Sequence, residues 1–202
     1  MNFILNQKYS DGNTPIRAEE AEQLIPKIST MGELNEYEAL NILRGRAWAF
    51  NARTIKSTDP LEEPYLRELH HRMFDNVWKW AGTYRQTERN IGCDPKEIVQ
   101  RIPQLLGSIR YWLDNNTLPV DEAVLRFHHQ LTKIHPFAND NGRHARMIAD
   151  VVAVKYSRPE FTWGAGTNLV AEGDARTRYL AALRALDAND KDVKPLLDFA
   201  RS

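Results

Sequence analysis

Apolar residues recur at three- and four-residue intervals along nearly the whole chain, a spacing that suits one face of an α-helix and that a strand cannot use. Leu40, Leu43, Ala47 and Phe50 make one such stripe, and Leu66, Leu69, Met73 and Val77 a second. Ile98, Ile102, Leu105, Ile109 and Trp112 make a third, and Val124, Phe127, Leu131 and Ile134 a fourth. Met147, Val151 and Val154 form a fifth, and Leu180, Leu183 and Leu186 a sixth. Each stripe is read as a core-facing surface, with Trp78, Trp80 and Trp112 as packing anchors. An all-α fold follows.

The punctuation agrees. Asp94-Pro95-Lys96-Glu97 combines an acidic N-cap, a proline at the first helical position and a glutamate at the third. Ser157-Arg158-Pro159 stops a helix that opens near Arg143. Between Gly82 and Gly92 the helical period lapses, which predicts a loop or short β-hairpin joining two helices. The residues up to about Ala18 are polar and read as an extended arm. No internal repeat or linker divides the chain, so one domain is expected.

Composition narrows the function classes. Lys plus Arg equals Asp plus Glu at 27 each, so no net field draws the chain to nucleic acid or an anionic membrane. The single cysteine, Cys93, cannot form an internal disulfide, and Asp94 beside it gives no basic neighbour to activate the thiol. Met1-Asn2-Phe3-Ile4-Leu5-Asn6 lacks the features of a signal peptide, and no apolar stretch approaches membrane-spanning length. A cytoplasmic location is expected. The pairs His70-His71 and His128-His129 are not read as metal sites, because adjacent helical positions point about 100° apart.

The segment that carries chemistry is His135-Pro136-Phe137-Ala138-Asn139-Asp140-Asn141-Gly142-Arg143-His144-Ala145-Arg146. A loop running into a helix start presents unpaired backbone N–H groups and the positive end of the helix dipole, a place suited to phosphate. Gly142, lacking a Cβ, lets backbone approach an anion closely. Arg143 and Arg146, three residues apart, project from one side of the first turn and match polyphosphate geometry. Asn139, Asp140 and Asn141 supply oxygen atoms of the kind Mg²⁺ accepts beside phosphates. His135 is the titratable group suited to take a proton near neutral pH. Together these describe a phosphoryl- or nucleotidyl-transfer site.

The stretch resembles the Fic-family signature, His-x-Phe-x-acid-Gly-Asn-Gly-Arg-x-x-Arg. Trp80-Ala81-Gly82-Thr83-Tyr84-Arg85 and Asn90-Ile91-Gly92 resemble the flap of Fic domains. Leu34-Asn35-Glu36, Phe127-His128-His129, Phe161-Thr162-Trp163-Gly164 and Phe199-Ala200-Arg201-Ser202 are similar to the Fic branch called mobile mystery protein B. The resemblance implies a Fic-type helical bundle with a short β-hairpin flap: residues 1–55 an arm and helices with an inhibitory role, and 56–202 the catalytic core with C-terminal helices. It implies a protein adenylyltransferase, in which His135 deprotonates a target Tyr, Ser or Thr hydroxyl that attacks the α-phosphorus of ATP, with Mg²⁺. Asn141, Gly142 and Arg143 would hold the α- and β-phosphates and Arg146 the γ-phosphate. Phe137 would anchor the loop, and the flap residues Thr87, Glu88, Arg89, Asn90, Ile91 and Gly92 would pair with an extended target segment. The target is another protein or the chain itself, and the branch implies a small DNA-binding partner protein.

Two departures from the signature stand out. Asn139 occupies the usual metal-binding acid position, and Asp140 the usual glycine position. Either the acid has moved one place and Asp140 serves the metal, or its side chain damages the cradle. Gly142, where the phosphoryl-transferring Doc-like branch has lysine, argues against that branch. Fic proteins also resemble one another in an inhibitory Ser/Thr-x-x-x-Glu-Gly/Asn helix, which Ser29 and Glu33 fit and Leu34 does not. On that reading Glu33 pairs with Arg146; on the other, Thr30-Met31-Gly32-Glu33 is a capping box. The alternatives in function are a degenerate or non-AMP Fic transferase, and a non-enzymatic interaction module partnering a DNA-binding protein.

Overall fold

The computed structural model describes residues 14–164, 169 and 173–202, so most of the expected arm lies outside the described residues. Among the described residues the chain is helical throughout. The order is α1 (Ala18–Ala21), α2 (Met31–Ala49), α3 (Ala52–Ser57) and α4 (Glu63–Phe74). A 3₁₀ turn, Pro95–Glu97, leads into α5 (Ile98–Asp114). Then follow α6 (Val120–Ile134), α7 (Asn141–Lys155), α8 (Asp174–Ala188) and α9 (Lys194–Ala200). Helix α6 packs between α5 and α7, α2 lies on α4, and α8 pairs with α9. None of these helices is long and apolar enough to cross a membrane.

Local chemistry accounts for the helix starts. The Asp94 carboxylate accepts from the Lys96 N–H and Pro95 takes the first helical position. Thr30 caps α2 by accepting from the Glu33 N–H, while the Glu33 carboxylate accepts in return from the Thr30 N–H. Helix α7 opens at Asn141, two residues before the sequence placed it. The stripes on α4, α5, α6 and α7 bury as their spacing requires, with Leu66, Leu69, Ile98, Ile102, Val124 and Phe127 fully enclosed. Each such side chain contributes about 1.5–3 kcal/mol on removal from water. On α8 the deeper positions are Tyr179, Ala182 and Leu186, with Leu180 and Leu183 half-buried.

Helix α2 departs from its apolar stripe. Leu40 and Leu43 are 64% and 61% exposed, and Ala47 also faces out. The buried face is Leu34, Glu38, Asn41, Gly45 and Ala49. Gly45 lets α2 lie directly on Met73, where an added Cβ would stand 2.8 Å from the Met73 Cγ. Asn41 donates to the Arg72 carbonyl and the Asp75 carboxylate and accepts from the Asn76 N–H. Buried polar groups satisfied in this way can outweigh a few apolar side chains on the other face.

The segment from Gly82 to Gly92 takes the loop form rather than the hairpin. Its ladder contact is one isolated bridge, Tyr84 to Phe137. The Arg85 guanidinium reaches the carbonyls of Thr87 and Cys93 at 2.9 and 2.6 Å, holding both limbs of the loop from one side chain.

Candidate active site

The loop between α6 and α7 is shaped by two residues in the left-handed region, His135 (φ 53°) and Asp140 (φ 62°). Such non-glycine conformations cost of order 1–3 kcal/mol each and persist where the surroundings enforce them. The enforcement is visible. Phe137 is fully buried and stacks on His70 with ring centroids 3.7 Å apart. The Asn141 amide both accepts from the Phe137 N–H and donates to the Phe137 carbonyl, each at 2.9 Å. Asn141 thus spends its side chain on closing the loop and leaves its backbone at the mouth of α7.

His135 caps α6, its N–H donating to the Leu131 carbonyl. The imidazole is 8% exposed, and burial, then the nearby Arg85 cation, push its pKa down to about 4, against a contact with the Thr132 backbone that raises it. The ring is therefore neutral at physiological pH. Its Nε2 lies 2.9 Å from the Thr14 hydroxyl oxygen. A neutral ring carries one N–H; with that N–H on Nδ1, Nε2 would accept from the Thr14 hydroxyl. Arg85, 4% exposed, donates to the His135 carbonyl at 2.6 Å and to the Ile134 carbonyl at 3.3 Å. A cation at a helix C-terminus is favourable. Gly92 (φ 118°) presses on the same place: a Cβ there would stand 2.8 Å from the His135 Cβ.

Across the cleft stands a charged cluster. Arg143 donates through Nε to the Asp140 carboxylate at 2.8 Å and through Nη2 to Glu38 at 2.6 Å. The other Glu38 oxygen accepts from the Trp78 indole N–H at 2.9 Å. Burial pushes the Asp140 carboxyl up, Arg143 pulls it down and Glu38 adds to the rise; burial is the larger effect. Asp140 Oδ2 is buried with no hydrogen-bond partner. Asn139 turns its side-chain oxygen to the Asp140 N–H. Arg146 lies over the Tyr179 ring, 5.3 Å from its centroid. At Gly142 an added Cβ would meet only the Arg146 guanidinium, at 3.7 Å, so the backbone there faces open space. Thr14, Glu38, His135, Asp140, Gly142, Arg143 and Arg146 line one cavity of about 190 Å³. Ligand pockets usually span about 300–1,000 Å³, so the cleft has to widen to admit a nucleotide.

The sequence placed most of these residues together, with one displacement. Glu33 does not reach Arg146; its carboxylate accepts from the Ser29 and Thr30 N–H groups at 2.7 and 3.1 Å. Those bonds hold its pKa below the usual value. Ser29 serves that cap and does not line the cavity. The glutamate at the cleft is Glu38, more than one helical turn further on. Among the flap residues, Thr87 is tied to Arg85, Glu88 offers its carbonyl to Arg17 at 2.5 Å, and Arg89 pairs with Glu20. Asn90 is exposed and Ile91 half-buried. Thr14, Glu38 and Arg85 were not singled out as site residues from sequence. Only Arg85 carried a signal, its place in the flap-like stretch.

The model of the Fic/DOC family matches residues 60–153. The chain carries a Fic/DOC family domain. A protein adenylyltransferase fic-1 from Caenorhabditis elegans is 26% identical over 148 residues, covering 71% of this chain and 27% of the relative. The chain spans between about a quarter and two fifths of the curated relatives it matches. A solved Fic-1 fragment from the same organism superposes with a TM-score of 0.64 at 20% identity, covering 93% of this chain and 53% of that one. The BepC protein of Bartonella tribocorum, solved with bound AMPPNP, gives 0.63 at 16% identity, covering 92% and 97%. The Fic domain holds α4 through most of α7, and hence His135, Arg143 and Arg146; Thr14 and Glu38 come from outside it.

Proposed function

We propose that the chain is a protein adenylyltransferase that moves AMP from ATP to a hydroxyl side chain. The observation that carries the reading is the neutral His135 imidazole, its Nε2 already holding a hydroxyl, at the edge of the cleft where α7 opens. His135 would take the proton from the attacking hydroxyl, and general-base contributions of this kind are typically about 10²–10⁴-fold. The first N–H groups of α7, with Gly142 and Arg143, would hold the α- and β-phosphates, and Arg146 the γ-phosphate. Curated relatives named as protein adenylyltransferases, and Fic structures holding AMPPNP or ADP, support ATP as the donor.

Mg²⁺ fits the residues present. Asp140 Oδ2 is a buried carboxylate oxygen without a partner, and Mg²⁺ commonly binds through one carboxylate, phosphate oxygens and water. Asp140 would hold the ion, and Asn139, its oxygen turned to backbone, would not without moving. When bound, the ion would neutralise charge developing on the departing pyrophosphate. Asp140 tolerates the left-handed conformation that the family's glycine supplies, as short polar residues do. The arm and helices to residue 55 would then regulate the core beyond it. The mobile mystery protein B likeness further suggests a small DNA-binding partner in the cytoplasm.

A second reading, a module with a degenerate site, is favoured by the pairing of Arg143 with Glu38 and Asp140 and by the small cleft. Incubation with α-labelled ATP and Mg²⁺ separates the two. Covalent label on protein that is lost in His135→Ala supports the transferase. Label from γ-labelled ATP alone means phosphoryl transfer, and no label from either favours the module.

A further inference from the structure

The geometry points to Thr14 as an acceptor of the AMP group within its own chain, an inference that rests on the transferase reading above. Thr14 is 5% exposed, and its hydroxyl is the group bonded to His135 Nε2. It lines the same cavity as Gly142 and Arg143, so a nucleotide held there and this hydroxyl would share one space. Pro15 restricts Thr14 to extended backbone, the shape in which a target segment is held.

The segment that delivers Thr14 is anchored to the flap, the element read as gripping targets. Arg17 donates from Nη2 to the Glu88 carbonyl at 2.5 Å, and Glu20 pairs with Arg89. Ile16 is buried and lines the cavity next to Thr14. Further along, the Lys79 N–H donates to the Gln23 carbonyl and the Ile25 N–H to the Val77 carbonyl, pinning the segment to the core on its other side. Holding a nucleophile beside a base in this way converts an encounter between molecules into a step within one. In that step the Thr14 Oγ forms a bond to the α-phosphorus of ATP and its proton passes to His135 Nε2. The bond from the α-phosphorus to the bridging oxygen breaks, and pyrophosphate leaves with that electron pair. His135 returns the proton to pyrophosphate or water.

The test is peptide mapping by tandem mass spectrometry after the full chain is incubated with ATP and Mg²⁺. One adenylyl group on Thr14 is expected, appearing with a first-order rate constant that does not change over a tenfold range of protein concentration. Thr14→Ser should keep the modification and Thr14→Val should lose it. Wild type mixed with isotope-labelled His135→Ala should leave Thr14 of the latter unmodified. The inference is overturned if wild type carries its label elsewhere, or labels an added protein with its own Thr14 unmodified; either result leaves the transferase reading standing. With no adduct at any position and no label on added protein, whether or not pyrophosphate is released, both fall. Because the mapping is done on wild type, it does not depend on any variant folding.

Discussion

The two walls of the cleft are prepared in opposite ways. On one, His135 is neutral, locked at the end of α6 by Arg85 and backed by Gly92, with the Thr14 hydroxyl at its Nε2. On the other, Arg143 is a cation whose Nε and Nη2 are taken up by two carboxylates of its own chain. On the proposed reading, the base is set for its proton transfer as it stands, whereas the phosphate grip would first have to exchange one partner for another. Burial bears on both: it strips the charge from the His135 imidazole, and it leaves Arg143 charged because two carboxylates sit against it.

Breaking the charged wall should have the largest effect. Arg143→Ala leaves Glu38 and Asp140 buried without their cation, so stability should fall by about 3–5 kcal/mol in chemical denaturation, with loss of ATP binding. Unchanged stability would mean that the three charges are not coupled. Glu38→Gln sharpens the contrast, since the amide oxygen can still accept from Trp78 while the competing charge disappears. AMPPNP should then bind about tenfold more tightly by calorimetry, a gain of ~1.4 kcal/mol. Unaltered or weaker binding would show that Glu38 does not compete with phosphate.

Away from the cleft, Glu33→Ala removes only the reciprocal half of the α2 capping box, since Thr30 still accepts from the backbone N–H at 33. It should lower the melting temperature slightly and leave AMP transfer as it was. Faster transfer in that variant would restore the inhibitory role read from sequence. The smallest effect concerns pH on the neutral wall. With a pKa near 4, His135 remains a proton acceptor at pH 6, so the transfer rate there should lie within roughly twofold of the rate at pH 7.5. An imidazole near its ordinary 6.5 would be mostly protonated at pH 6 and the rate would drop several-fold; that profile would contradict the buried base.

Helices α6 and α2 show how far sequence reading carries. In α6 the stripe Val124, Phe127, Leu131 and Ile134 is buried as its spacing requires, and the polar residues that share the interior, His128 and His129, find Tyr179 and Asp187 without turning the stripe outward. In α2 an equally regular stripe beginning at Leu40 faces solvent. There Asn41 and Glu38 find buried partners on α4, Trp78 and Arg143, and Gly45 permits contact too close for a side chain. Periodicity registers apolar spacing and is blind to polar groups that will be satisfied.

The sequence alone determined the run of helices, the break between Ile134 and Asn141, and the grouping of His135, Gly142, Arg143 and Arg146 on either side of it, because spacing within a helix turn and a short loop is a local property. Only the tertiary structure decided what faces these groups. Glu38 meets Arg143 across 105 positions of chain, and Thr14 meets His135 across 121. No local spacing encodes such meetings. They arise from how α2 and the segment before α1 pack against the core.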